Sequence, residues 1–256
     1  MKIIGIIPAR MAASRFPGKP LHKIWGMPMV EHVYRRAALF PGWDGLFLAT
    51  CDREIAELGE ARAWPTMMTS DQHTRALDRV AEAAEKCGID LDANDIIVCV
   101  QGDEPMLHPD MIAAVLKPLQ EYPAVPCTVL AITIGDEEQY HDPNILKIIH
   151  DRKGDVLYTS RAPIPYCKQF PPATGARRIG GIFAFRSYFL KIFTGLPESP
   201  LEVVESCDSN RILDNGYRQR IAPYPSVASF SIDCPSDAEK VEAHMQDDPL
   251  WKLYRK

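Results

Sequence analysis

The stretch that decides the fold is IIPARMAASRFPGKPL, residues 6–21. A short apolar run, Ile3 to Ile7, stops at Pro8. The segment after it carries Arg10, Arg15 and Lys19 among mostly small or turn-forming residues, and a helix is expected around residues 28–40, within MPMVEHVYRRAALF. A strand, a loop and then a helix is the repeating unit of a parallel α/β sheet, in which ligands bind outside the carboxyl ends of the strands. Backbone N–H groups at the start of the next helix favour an anion at that place. Three cations on a loop braced by proline and glycine therefore read as a triphosphate site, with Gly18 letting the backbone approach closely. A solvated basic loop is the alternative. The pattern G-x-x-x-x-G-K-[ST] is absent, so this is not a Walker A loop.

Working outward, GLFLATC (45–51) precedes a helix expected over about 53–62. WPTMMT precedes the amphipathic segment LDRVAEAAEKCG, whose apolar residues recur at three- and four-residue spacing. DIIVCVQGDEP leads into HPDMIAAVLKPLQEY. Continuous apolar strands separated by helices predict an α/β fold with a mostly parallel sheet covered on both faces. After TVLAITI the strands shorten and the loops become proline-rich, as in RAPIPYCKQFPPATG. That predicts a smaller mixed-sheet extension at about 140–225 within a single domain of residues 1–256, with PPATG as its mobile loop. The chain then returns with VASFSIDCPSDAEKVEAHM, a strand and a helix capped near Ser236.

The balance of 29 Lys+Arg against 34 Asp+Glu, a net charge of -5, argues against nucleic acid as a partner, which needs a basic field. No apolar run approaches the length of a membrane span, and MKIIGIIPAR reads as a strand rather than a leader. The seven cysteines are scattered without a Cys-x-x-Cys pair, the pattern of a reduced, cytoplasmic protein with buried thiols at Cys99 and Cys127. The seven histidines show no ligand spacing and fall mostly in segments expected at the surface.

Asp103 stands just past an apolar strand beside Gly102, and Asp233 at the end of ASFSID. Carboxylates at strand ends hold magnesium against nucleotide phosphates, so the pair is a candidate site for one Mg2+ or two. Either aspartate alone would read equally well as a helix N-cap or a turn residue.

PARMAASRFPGKPL resembles the signature of the 3-deoxy-manno-octulosonate (KDO) cytidylyltransferases, or CMP-KDO synthetases. The resemblance continues through VQGDEP (100–105), DPNILKII (142–149), LYTSRAPIP (157–165), SPLEVVE (199–205) and IDCPSDAEKVE (232–242). It implies a Rossmann-like, glycosyltransferase-A-like nucleotidyltransferase fold, a homodimer, and CMP transfer from CTP with Mg2+ and release of pyrophosphate. Asp103 and Asp233 match the family's metal ligands. Arg10 and Lys19 are expected on the triphosphate and Arg15 between nucleotide and acceptor, these three with Asp103 forming the catalytic set. Cytosine is expected near Pro8, Ala9 and Arg79, with Gln101 beside the metal orienting the acceptor.

The sequence departs from the family where the acceptor should sit. HTRALDR (73–79) keeps His73, Asp78 and Arg79 but has Arg75-Ala76-Leu77 in place of Ser-Gly-Thr. The family's His-Leu-Gly-Ile-Tyr becomes Ile179-Gly180-Gly181-Ile182-Phe183, and its Glu-Gln pair becomes Asp208-Ser209. Arg75, Gln101, Arg161, Phe183 and Asp208 are the acceptor candidates. Arg75 together with the retained Arg161, Arg177 and Arg178 points to a compact, strongly anionic acceptor: a sugar acid or, as the alternative, a small phosphonate. Arg161 reads equally as a strand-edge arginine in an ion pair, and Arg75 as a solvated residue at a helix start. A catalytically inactive nucleotide-binding protein is the alternative of another class.

Overall fold

The structure, a computed structural model, describes residues 1–12, 15–227 and 231–255. In chain order the elements are β1 (Ile3–Ala9), β2 (Lys23–Ile24), β3 (Met27–Pro28), α1 (Met29–Ala37), β4 (Gly45–Thr50), α2 (Arg53–Ala61), β5 (Thr66–Met68), α3 (Ala76–Lys86), β6 (Ile96–Val100) and α4 (Pro109–Glu121). They continue with β7 (Cys127–Thr133), α5 (Glu137–His141), β8 (Lys147–His150), β9 (Val156–Ser160), β10 (Arg177–Arg186), α6 (Ser187–Gly195), α7 (Pro200–Glu205), α8 (Asp208–Asp214), β11 (Arg220–Tyr224), α9 (Pro235–Met245) and α10 (Pro249–Tyr254).

The chain forms two compact units, Met1–Ile112 with the C-terminal segment, and Ala113–Val227. In the first, the strand order is β6-β1-β4-β5. All these pairs are parallel, with Ile3 opposite Ile96, Ile4 to Ala9 opposite Gly45 to Thr50, and Leu48 opposite Thr66. A strand buried on both faces needs branched apolar residues throughout rather than an alternation. Accordingly Ile4, Ile6 and Ile7 of β1 are fully buried, each worth about 1.5–3 kcal/mol relative to exposure. Because β1, β4 and β6 run the same way, the segments leaving their carboxyl ends emerge together. These are the loop from Arg10, the turn at Cys51–Asp52 and the Gln101–Asp103 turn.

The second unit is a mixed sheet. β7 runs antiparallel to β10 and parallel to β11, and the β8–β9 hairpin joins β10 at Lys147 opposite Arg178. The unit starts at Ala113 within α4, and the extension expected at about 140–225 falls inside it.

Two local expectations need correction, and one histidine departs from the rest. The helix after Asp233 is capped by Cys234, whose thiol and backbone N–H both reach the Asp237 carboxylate, rather than near Ser236. The strand expected over ASFSID falls partly on 228–230, outside the described residues, and Ser231–Asp233 carry no regular secondary structure. Among the histidines, His32 is fully buried in α1, bridging the Ile24 carbonyl and the Tyr254 hydroxyl of α10. Burial lowers its pKa to about 4, so it is neutral there. Among the described residues no helix is long and apolar enough to cross a membrane.

Candidate active site

The cationic loop folds back on itself. The Gly18 N–H donates to the Met11 carbonyl at 3.0 Å, and Gly18 takes a left-handed φ of 75° as it enters the short 3-10 turn Lys19–Leu21. A side chain at that φ would be strained, so glycine there sets the direction in which Lys19 leaves. At the end of β6 a Cβ on Gly102 would lie 2.6 Å from the Pro8 carbonyl oxygen. Glycine is therefore required for the β1 and β6 exits to close on each other.

The resulting cleft, about 270 Å3, is lined by Pro8, Ala9, Arg10, Arg15, Lys19, Gln101, Asp103 and Asp233, together with Gly102, Ala12, Phe16, Pro20, Met29 and Ala76. Lys19 is its centre. Its Nζ lies 2.7 Å from Asp103 Oδ2 and 3.7 Å from Asp233 Oδ1, and donates to the Ile232 carbonyl at 2.9 Å. Arg15 Nη2 lies 2.9 Å from Asp233 Oδ1. The Ile232 N–H donates to the Asp103 carbonyl at 3.0 Å. That backbone bond is what brings Asp233 alongside Asp103 from far along the chain. Asp103 Oδ1 is buried and, among the described residues, has no hydrogen-bond partner, a costly state for a carboxylate oxygen unless a cation or donor meets it. Arg10 is exposed, its Nη1 donating to the His73 carbonyl at 3.2 Å.

The remaining expected residues divide by unit. In the first, Arg79 is 2% exposed and outside the cleft lining. Its Nη1 donates to Thr69 Oγ1 and, at 3.2 Å, to the Ser70 carbonyl, while Nη2 has no partner among the described residues. Arg75 occupies the N-cap position of α3 and is half-buried. In the second unit, the Arg161 side chain is taken up by backbone carbonyls. Nε donates to the Glu205 carbonyl at 3.1 Å, Nη1 to the Pro143 carbonyl at 2.9 Å, and its backbone N–H to Glu205 Oε2 at 2.7 Å. Arg177, whose pKa burial lowers, donates to the Ala131 carbonyl and to Thr133. Phe183 is 4% exposed, so it is a core residue of β10 rather than an open contact surface. Ile179, at the position of the lost imidazole, is half-buried, and Asp208 opens α8, also half-buried.

Two residues that support the cleft escaped the sequence reading. Asp52 occupies the N-cap of α2 yet makes no capping bond with its side chain. Its Oδ2 accepts the Met11 N–H at 2.8 Å, anchoring the cationic loop to the end of β4. Asp237 accepts the N–H groups of both Asp233 and Cys234 at 3.0 Å and so fixes the turn that presents Asp233. Its signal was the Cys-x-x-Asp spacing at the start of α9, a capping box with an unusual first residue.

A cleft at the carboxyl ends of parallel strands, pairing a cationic loop with two convergent aspartates, defines the class as a nucleotidyltransferase. The comparisons with known proteins carry this further. A family model described as cytidylyltransferase matches residues 4–221. The chain belongs to the cytidylyltransferase family and is a CTP-dependent nucleotidyltransferase. It is 41% identical over 254 residues to the 3-deoxy-manno-octulosonate cytidylyltransferase of Syntrophotalea carbinolica, covering 96% of this chain and 99% of that protein. To the protein of the same name from Geobacter metallireducens it is 39% identical over 251 residues, covering 94% and 96%. A solved structure of CMP:2-keto-3-deoxy-manno-octonic acid synthetase complexed with CTP superposes with a TM-score of 0.86 at 33% identity, covering 96% of this chain and 99% of that one.

Proposed function

We propose that this enzyme transfers CMP from CTP to a small anionic acceptor, releasing pyrophosphate, with magnesium held by Asp103 and Asp233. The observation that carries the reading is the Lys19–Asp103–Asp233–Arg15 constellation with its partnerless Oδ1. Three cations against two carboxylates leave the cleft one positive charge, too little to offset a triphosphate. A divalent cation ligated by both carboxylates supplies the missing charge when bound and polarises the phosphate oxygens. Arg10 and Lys19 hold the triphosphate, Arg15 stands between nucleotide and acceptor, and Gln101 orients the acceptor. Pro8 and Ala9, which line the cleft, bind the nucleoside, and Arg79, buried outside the lining, supports that end of the site from behind. The acceptor oxygen forms a bond to the α-phosphorus as the α–β phosphoanhydride bond breaks. The oxygen's proton, where it carries one, leaves to solvent. No covalent enzyme intermediate is needed, so positioning and charge stabilisation do most of the work.

The relatives are named for KDO, which makes it the first acceptor to test. A second reading, a small phosphonate, is favoured by the loss of the imidazole and phenol at Ile179 and Phe183 and by the added cation at Arg75. Pyrophosphate release from CTP and magnesium across a panel of sugar acids and phosphonates tests both. CTP binding without turnover on any acceptor would show a binding protein instead.

Lys19→Ala is expected to weaken CTP by about tenfold to a hundredfold, the scale of one or two charge-assisted hydrogen bonds. Added magnesium should not restore it, since the lost group binds phosphate rather than metal. Calorimetric CTP affinities equal in variant and wild type would remove Lys19 from the nucleotide site.

The assembly proposed is a homodimer formed through the second unit, where Leu157, Tyr166, Val203 and Val204 expose 54–84% of their surface. Apolar side chains exposed in numbers on one unit mark a contact surface. Light scattering at high micromolar concentration should give twice the chain mass, and a monomer there would overturn the assignment.

A further inference from the structure

Glu82 stands in the middle of α3, where a charged residue ordinarily faces solvent, yet its carboxylate gathers three donors. Oε2 accepts the Ser70 N–H at 2.9 Å and the His73 Nε2–H, and Oε1 accepts Lys86 Nζ. Lys86 in turn donates to the Met68 carbonyl at 3.1 Å. One carboxylate thereby fastens both ends of the turn from Ser70 to His73 to the helix. Desolvation pushes its pKa upward, but the bonds from Lys86, the Ser70 N–H and His73 outweigh that and hold it at about 2. Glu82 is thus an ionised acceptor, and His73 must donate through Nε2.

The same turn offers its carbonyls to two arginines. The Ser70 carbonyl receives Arg79 Nη1 and the His73 carbonyl receives Arg10 Nη1, each at 3.2 Å. Arg79 is buried and, among the described residues, its Nη2 has no partner, so Nη1 carries the guanidinium's polar contacts to the turn. Arg10 is exposed and has little packing to hold it. We propose that Glu82 is a positioning residue of the nucleotide site, setting the guanidinium groups of Arg10 and Arg79 through the Ser70–His73 turn. The inference rests on the reading that Arg10 touches CTP.

The sign of the effect separates this role from simple electrostatics. A carboxylate near a polyanion site repels the ligand, so neutralising Glu82 should tighten CTP if charge alone mattered. A positioning role predicts the opposite. The experiment measures CTP dissociation constants by calorimetry, with magnesium and no acceptor, for wild type, Arg10→Ala, Glu82→Gln, Glu82→Ala and Arg10→Ala/Glu82→Gln. Glu82→Gln keeps the side-chain volume and should bind CTP about five- to twentyfold more weakly, with Glu82→Ala weaker still. The double variant should fall short of the product of the two single effects, because Glu82 acts partly through Arg10. Wild-type or tighter binding in Glu82→Gln, alongside a clear loss in Arg10→Ala, would overturn the role of Glu82 alone. Full multiplication in the double variant would do the same. An Arg10→Ala variant that binds CTP normally would instead strike the nucleotide-site reading, and the inference with it. If Glu82→Ala does not fold, Glu82→Gln decides.

Discussion

Asp103→Asn is expected to lower turnover by roughly several hundred-fold or more with the fold unchanged. The variant removes charge and keeps shape. In the native cleft Oδ2 faces Lys19 Nζ at 2.7 Å, and the buried Oδ1 has no partner. An asparagine that keeps its oxygen towards Lys19 turns its amide NH2 to the side that should ligate a cation. The opposite flip sets donor against donor at Lys19. Either way the site loses an anionic ligand. A bound divalent metal is worth several kcal/mol of transition-state stabilisation, and a loss of about 3–4 kcal/mol is a few hundred-fold in rate. The magnesium concentration for half-maximal rate should rise in the same variant, a readout independent of the maximal rate itself. Turnover within tenfold of wild type, or an unchanged magnesium requirement, would remove Asp103 from the metal site.

What the sequence made legible is local. The strands of the first unit announce themselves as continuous apolar runs because a parallel sheet covered on both faces tolerates little else, and fully buried Ile4, Ile6 and Ile7 are the direct consequence. Arg10, Arg15 and Lys19 were visible as cations on the loop after β1, and Asp103 as a carboxylate after β6, since those positions follow from strand direction alone. What stayed hidden depends on contacts between distant segments. Nothing near Asp233 reveals that the Ile232 N–H will meet the Asp103 carbonyl. Asp52 reads as a helix cap until the Met11 N–H is found on its carboxylate. His32 looks like a surface residue of an amphipathic helix because its partner, Tyr254, arrives from the far end of the chain. Ser236 is the better cap by propensity, but Cys234 holds the position because Asp237 closes the turn from inside the helix. Arg161 shows the same limit in reverse. A charge expected on the acceptor proved to be committed to the Pro143 and Glu205 carbonyls of its own unit.

The second large effect concerns the acceptor: KDO should be a poor substrate relative to a small phosphonate. In strand β10 the motif His-Leu-Gly-Ile-Tyr of the CMP-KDO synthetases is replaced by Ile179 to Phe183, and the pairing with β7 shifts register between those two residues. The replacement is built in rather than superficial. A Cβ at Gly180 would fall 2.7 Å from Leu130 Cδ2 and 2.8 Å from Ile132 Cδ1, so the space of the family's leucine is filled from the neighbouring strand. Ile179 leaves an apolar, half-buried side chain where the imidazole would be, and Phe183 lies in the core without a hydroxyl. A polyhydroxylated acid meeting these positions loses two hydrogen-bonding groups, at about 1–3 kcal/mol each. The expected deficit in kcat/KM for KDO is therefore roughly thirtyfold to twenty-thousandfold, while a compact phosphonate asks nothing of either position. Specificity constants for KDO and for a series of small phosphonates, measured on one preparation, decide between them. If KDO matches or exceeds every phosphonate, the substitutions at 179 and 183 are neutral, and the acceptor is the one for which the relatives are named.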